Sequence, residues 1–267
     1  MHPMLNIAVR AARAGGKVVA HAFSEQGNID AELKGANDYV TKVDRDSEAA
    51  IIATIQASYP KHTIIGEETG TIAGEHDEFQ WIIDPLDGTT NFVKGIPHFA
   101  ISIALQIKGR IEHAVVFDPI RNELFSASRG AGAQLNGYRI RTSGARSLRG
   151  TVIATGFPFK ARQHTESYMK IFGDVFTEVA DLRRAGSAAL DLAYAAAGRV
   201  DGFFEIGLKP WDIAAGELLV KESGGLVCDF AGGHDQLKNG NIVAGTPKVT
   251  AALLTTMRPH LNEGLKR

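Results

Sequence analysis

An apolar run that ends in two aspartates is the feature that most constrains this chain. Residues 81–92 read WIIDPLDGTTNF, with Asp84 and Asp87 three positions apart. The pattern predicts a buried strand that ends in a turn presenting two carboxylates, hydroxyl groups and backbone N–H groups at one point. Two adjacent carboxylates repel each other, and hard oxygen ligands favour Mg²⁺ or a similar cation. Amides at a helix N-terminus favour an anion, so the segment indicates phosphate chemistry.

Length and composition are typical of a globular protein. The chain has 267 residues, which suffice for one large core or two fused halves, and a net charge of −1. We find no long basic tail or arginine run that indicates a direct nucleic-acid site. No apolar stretch is long enough for a transmembrane helix. The single cysteine, Cys228, rules out an internal disulfide and fits a reducing compartment, so we expect a cytoplasmic protein.

The order of predicted elements indicates layers of helices on two sheets. Helices are expected over about 3–24 and 44–58, with Asp44 as the N-cap of the second. Short strands are expected over 63–66 and 80–84, and a meander of five antiparallel strands between 99 and 141. Asn136-Gly137 indicates a tight hairpin within the meander. The second half alternates strands with helices over 164–178, 187–197, 212–222 and 247–257. The alanine-rich helix of this half is expected to place Asp191 on a solvated face.

Four acidic residues lie where a predicted strand ends or a helix begins, namely Glu67, Asp84, Asp87 and Asp212. Strand ends are where binding sites gather in α/β folds. Each residue alone has an ordinary interpretation: Glu67 as a solvated loop acid, Asp87 with its following glycine as a turn, and Asp212 as a helix N-cap. The occurrence of all four acids together with the Gly-Thr-Thr segment at 88–90 favours a metal site.

Four motifs resemble the signatures of the inositol monophosphatase family. They are residues 66–68 (GEE), 81–91 (WIIDPLDGTTN), 211–216 (WDIAAG) and 222–225 (ESGG), in this order over nearly the whole chain. The first seven residues, MHPMLNI, and residues 154–159, ATGFPF, are similar to the proteobacterial branch of the family. That branch is also reported to act in ribosomal RNA transcription antitermination.

The resemblance implies a layered α-β-α-β-α sandwich of the sugar-phosphatase type, which inositol monophosphatases share with fructose-1,6-bisphosphatases. A single domain over 1–267 with two tightly packed halves, approximately 1–145 and 146–267, is implied. The implied catalytic residues are Glu67, Thr89 and Asp44, of which Thr89 orients the attacking water and Asp44 is its hydrogen-bonding partner. The implied metal ligands are Glu67, Asp84, Leu86 through its carbonyl, Asp87 and Asp212. The implied substrate contacts are Leu86, Asp87, Gly88, Thr89, Arg183, Gly186, Ser187, Glu205 and Asp212.

The activity that the resemblance implies is hydrolysis of myo-inositol monophosphate by water activated by two or three Mg²⁺ ions, with sensitivity to lithium. The implied partners are a second copy of the chain, the alanine-rich helix being a candidate interface, together with RNA polymerase and antitermination factors. Two alternatives stay open. The chain is a related phosphatase of 3′-nucleotides or fructose-1,6-bisphosphate, or it is mainly a non-catalytic transcription-complex protein.

Overall fold

Two large β-sheets, of eight and five strands, alternate with three layers of helices in the computed structural model, which describes residues 2–25, 31–35 and 38–266. A third sheet has only two strands. The predicted α-β-α-β-α arrangement is confirmed. The helices are α1 (Pro3–Ser24), α2 (Lys42–Gln56), α3 (Thr89–Val93), α4 (Thr165–Glu178), α5 (Ala188–Ala196), α6 (Pro210–Glu222), α7 (Gln236–Asn239) and α8 (Pro247–Met257). The strands are β1 (Ala31–Gly35), β2 (Asp38–Thr41), β3 (His62–Gly66), β4 (Gly70–Ile72), β5 (His76–Asp87), β6 (Ala100–Ile107), β7 (Arg110–Asp118), β8 (Glu123–Ser128), β9 (Gly132–Leu135), β10 (Tyr138–Arg139), β11 (Val152–Thr155), β12 (Asp181–Arg183), β13 (Gly202–Glu205), β14 (Leu226–Cys228) and β15 (Ile242–Gly245). None of the helices in the described part of the chain has the length and apolar character that crossing a bilayer requires.

The first sheet has eight strands in the order β10-β9-β8-β7-β6-β5-β3-β4. The run from β6 to β10 is the predicted antiparallel meander. Asn136 and Gly137 join its last two strands with φ angles of 50° and 85°, as a two-residue turn with positive φ requires. The prediction of a hairpin at Asn136-Gly137 is therefore confirmed. Helices α1 and α2 cover one face of this sheet through an apolar cluster that includes Ile51, Trp81 and Ile103.

The second sheet has the order β12-β11-β13-β15-β14, parallel from β12 to β13 and antiparallel beyond. Helices α5 and α6 lie between the two sheets, and their buried side chains form one cluster with both. Helices α4 and α8 cover the outer face. The alanine-rich α5 is thus internal, because its small side chains let two sheets approach closely. Our expectations that α5 has a solvated face and is available as an interface are wrong.

The two helices that carry predicted acids begin earlier than expected. Helix α2 starts at Lys42 with Thr41 as N-cap, and the Asp44 carboxylate accepts a 2.8 Å bond from the Thr41 N–H. Helix α6 starts at Pro210, and Asp212 accepts a 2.7 Å bond from the Lys209 N–H. Each acid is therefore the third residue of its helix, where a carboxylate reaches back to the residue before the helix. The prediction that Asp44 is an N-cap is therefore wrong, and the ordinary interpretation of Asp212 as an N-cap does not hold either.

Candidate active site

A bulge in β5 brings the two aspartates of the opening motif to one side. Strand β5 continues to Asp87 instead of ending at Asp84 as predicted. Asp84 pairs with Ser102 of β6 and Asp87 with Ala100, so three steps on β5 oppose two on β6. In a regular strand, residues three apart point to opposite faces. The extra residue of the bulge brings Asp84 and Asp87 to the same face of the strand. Pro85, which has no N–H to donate, lies within the bulge.

Asp212 completes a cluster of three carboxylates. Asp84, Asp87 and Asp212 each offer an oxygen within 4.8 Å of the others. The cluster lines a cavity of about 400 Å³, which Glu67 also lines. Glu67 follows β3, and its N–H donates to the carbonyl of Ile83 in β5 at 3.1 Å. Two sheet segments and the first turn of α6 thus converge on one set of carboxylate oxygens.

Burial and mutual repulsion raise the pKa of these carboxyl groups. Burial raises the pKa of Asp84 well above its usual range, and the charges of Glu67, Asp87 and Asp212 add to the effect. Burial, against two hydrogen bonds that oppose it, raises the pKa of Asp87 to about 6. Burial, reinforced by the Asp87 charge, raises the pKa of Asp212 to about 7. A cation at the cluster would reverse these shifts, since opposite charge favours the ionised carboxylates.

A hydrogen-bond chain fixes the hydroxyl of Thr89 beside the cluster. The hydroxyl lies 3.0 Å from an oxygen of Asp44 and 3.1 Å from the carbonyl oxygen of Leu86. Asp44 is held in turn by the N–H and hydroxyl of Thr41, at 2.8 and 2.6 Å. Because both neighbours of the Thr89 hydroxyl are acceptors, its single hydrogen points to them. Its lone pairs are left to accept from a group in the cavity.

The start of α5 closes the cavity from the second half of the chain. The Asp87 carboxylate accepts 2.7 Å bonds from the Ser187 hydroxyl and the Ala189 N–H. Gly88 has a φ of +102°, and a side chain there would lie only 3.2 Å from the carbonyl oxygen of Gly186. The predicted positions Gly88, Gly186 and Ser187 therefore meet at one point because glycine permits the close approach.

Basic, acidic and aromatic side chains line the remaining wall. Lys160 and Arg184 both lie there, and the Arg184 guanidinium stacks over the Phe157 ring at 5.4 Å. Glu205 and Asp191 are buried, at 8% and 3% exposure. Burial raises the pKa of both carboxyl groups well above the usual range. The wall thus combines cations that suit a phosphate with carboxyl groups that suit hydroxyls.

The structure brings all but two of the predicted site residues to the cavity wall. Asp44 lies behind Thr89, where it holds the hydroxyl. Arg183 is exposed, pairs with Asp181 and lies outside the cavity wall. Its neighbour Arg184 lines the cavity. Sequence reasoning missed Lys160, Arg184 and Asp191. Lys160 follows the end of β11 closely, a strand-end signal that could have indicated it.

Comparison with known proteins identifies the class to which this fold and site belong. The family model described as the inositol monophosphatase family matches residues 1–262. The chain belongs to the inositol monophosphatase family.

Individual relatives match the chain over nearly its whole length. It is 63% identical over 267 residues to a protein of Escherichia coli (strain K12) named Nus factor SuhB, with full coverage of both chains. The crystal structure of extragenic suppressor protein suhB from Bartonella henselae superposes with a TM-score of 0.94 at 43% identity, covering 97% of this chain and 100% of the other. SaIMPase-II, solved with inositol monophosphate bound, superposes with a TM-score of 0.80 at 25% identity, covering 96% and 95%.

Proposed function

We propose that the chain is a Mg²⁺-dependent phosphomonoesterase that hydrolyses myo-inositol monophosphate. The observation that carries the proposal is the set of three aspartate oxygens within 4.8 Å of one another, in a cavity flanked by Lys160 and Arg184. Family membership supports the reaction class. The bound ligand of SaIMPase-II supports the substrate class.

The donor set fits a hard divalent cation. Every candidate ligand is an oxygen, as Mg²⁺ prefers. The pKa values of Asp84 and Asp212 are raised, and a nearby cation would lower them. The residues that would hold the ions are Glu67, Asp84, the carbonyl of Leu86, Asp87 and Asp212. When bound, such ions supply positive charge that lowers the pKa of water and stabilises the oxygens of an in-line displacement.

The protein groups orient the reactants. The Thr89 hydroxyl, with its hydrogen committed to Asp44 or Leu86, accepts a hydrogen bond from the attacking water and fixes its direction. Lys160 and Arg184 attract the phosphate dianion to the cavity. Glu205 accepts hydrogen bonds from hydroxyl groups of the leaving alcohol. No side-chain nucleophile is required, because the proposed nucleophile is water.

A panel of phosphomonoesters tests the proposal. Phosphate release is measured from inositol 1-phosphate, a 3′-nucleotide, fructose-1,6-bisphosphate and glycerol 2-phosphate, with MgCl₂ and with EDTA. We expect the highest kcat/KM for inositol 1-phosphate and no release in EDTA. A preference for the 3′-nucleotide or the bisphosphate would favour a related phosphatase. Equal release in EDTA would overturn the metal-dependent mechanism.

A second role in ribosomal RNA transcription antitermination is proposed because full-length relatives at 54–64% identity carry the name Nus factor. RNA polymerase and antitermination factors are the proposed partners, and cytoplasmic location and a homodimer are part of the proposal. A pull-down against elongation-complex proteins tests it. Capture of the polymerase or its factors is expected, and failure to capture any of them would contradict the second role.

A further inference from the structure

One face of α2 is polar, buried and directed at the segments that carry the candidate metal ligands. Asp44, Ser47 and Glu48 are three and four residues apart, the spacing that places side chains on one side of a helix. Their exposures are 2%, 0% and 0%. Burying polar groups costs free energy unless they are hydrogen-bonded, so the partners of this face indicate its role. Asp44 holds Thr89, as described above.

Ser47 holds the bulge of β5. Its hydroxyl donates a 2.9 Å bond to the carbonyl of Pro85, which lies between the two aspartates of the cluster. The neighbouring helix α1 leaves space for this hydroxyl at Gly15, where a side-chain carbon would lie 2.7 Å from the Ser47 oxygen. The backbone that sets the separation of Asp84 and Asp87 is thus tied to α2.

Glu48 holds the turn that carries Glu67. One carboxylate oxygen of Glu48 accepts a 3.1 Å bond from the Glu68 N–H, and the other accepts a 2.8 Å bond from the Thr69 N–H. The carboxylate lies so close to Gly66 that a side-chain carbon there would be 2.2 Å from it. Glu48 therefore contacts the backbone on both sides of Glu67.

We propose that Ser47 and Glu48 are positioning residues of the metal site. Through them, α2 fixes the Glu67 turn relative to the Asp84–Asp87 bulge, so that ligands from two separate strands form one coordination sphere. Neither side chain lies on the cavity wall, so each acts through the backbone it holds. The inference rests on the proposed metal site. Loss of groups that support metal ligands lowers metal affinity about 10- to 100-fold.

The test compares Glu48→Gln and Ser47→Ala with a matched control, Asp229→Asn. Asp229 is also a buried carboxylate that accepts two loop N–H bonds, 2.7 Å from Gly233 and 3.1 Å from Asp235, but it lies outside the cavity wall. Mn²⁺ binding to metal-free protein is followed by electron paramagnetic resonance of the free ion. The Mg²⁺ concentration for half-maximal phosphate release and the melting temperature are measured in parallel.

We expect Glu48→Gln and Ser47→Ala to raise the Mn²⁺ dissociation constant by about 10-fold or more, with kcat largely recovered at saturating Mg²⁺. Asp229→Asn should lower the melting temperature as Glu48→Gln does, yet change Mn²⁺ affinity less than about 2-fold. Folded Glu48→Gln protein with wild-type Mn²⁺ affinity would overturn the inference. If Glu48→Gln fails to fold, unchanged affinity of Ser47→Ala overturns it by the same titration. Wild-type protein that binds no Mn²⁺ would overturn the proposed metal site itself, a result distinct from an unchanged variant.

Discussion

Replacing Asp87 by asparagine removes its charge while keeping the contacts that hold the side chain. The Ser187 hydroxyl and the Ala189 N–H both donate to the same carboxylate oxygen, each at 2.7 Å. The carbonyl oxygen of an asparagine can accept both bonds. Its amide would replace the other oxygen and would remove the repulsion between the charges of Asp87 and Glu67. We therefore expect Asp87→Asn to retain the fold.

The magnitude follows from the charge of Asp87 in its partly buried position. Burial raises the pKa of Asp87 from 3.8 to about 6. Because the folded-state pKa lies above the unfolded-state pKa, the protonated Asp87 carboxyl group stabilises the folded protein below pH 3.8. This contribution to the free energy of unfolding is lost as the pH rises through 6. A shift of one pKa unit corresponds to about 1.4 kcal/mol. Ionised Asp87 therefore lowers the free energy of unfolding of the metal-free protein by about 3 kcal/mol at pH 8. Asparagine removes that cost, which corresponds to a rise in Tm of roughly 5–10 °C for a chain of this size.

Calorimetric melting in EDTA between pH 5 and 8 measures this effect. Metal-free Asp87→Asn should melt above metal-free wild type at pH 8, and the difference should shrink toward pH 4. MgCl₂ should raise the Tm of wild type but not of the variant, and turnover should fall at least about 100-fold. Asp229→Asn, which removes a buried carboxylate outside the cavity wall, should show no such gain. A variant that melts at or below wild type at pH 8 in EDTA would refute the electrostatic reasoning. Near-normal turnover at saturating Mg²⁺ would refute the metal assignment.

Three further predictions follow from the proposed functions. Thr89→Ala should lower kcat much more than it raises KM, because the hydroxyl orients water and does not bind substrate; steady-state kinetics with an unchanged kcat would remove Thr89 from the mechanism. LiCl, compared with NaCl, should inhibit more strongly as substrate rises, because a small hard cation suits an all-oxygen site but carries half the charge of Mg²⁺; purely competitive inhibition contradicts this. Partner capture in the pull-down should survive Asp87→Asn, since a docking surface needs the fold and not the cavity charge; loss of capture by folded variant would instead couple the two functions.

The strand-end acids were predictable because their signals are local. Apolar runs before Glu67 and Asp84 indicate strands, and a carboxylate directly after a buried strand lies at a sheet edge, where sites form. Asp212 follows a Lys-Pro-Trp segment that marks a helix start. These signals need only a few neighbouring residues. The convergence of the three segments was implied by family resemblance and not by spacing, because no local pattern specifies which edges meet.

Arg184 and Asp191 were missed for physical reasons. Arg183 is the last residue of β12 and Arg184 follows it directly. Neighbouring side chains at a strand end point in different directions, and the sequence does not indicate which of the two faces the cavity. Asp191 lies on a helix whose alanines make every face equally apolar, so helical periodicity loses its contrast. Only the position of α5 between two sheets shows that Asp191 is buried. Both errors concern orientation, which tertiary packing decides.

Two of the segments that carry proposed metal ligands are held by elements outside their own strand or turn. Glu48 of α2 holds the Glu67 turn, while Asp87 of the first sheet is held by Ser187 at the start of α5, 100 residues away. Because Asp212 lies on α6, the three carboxylate oxygens lie within 4.8 Å of one another only when α6 is packed against the first sheet. It follows that the first half of the chain alone should not form the cation site, even if its sheet folds. High-affinity divalent cation binding should appear together with the packing of α5 and α6 between the sheets.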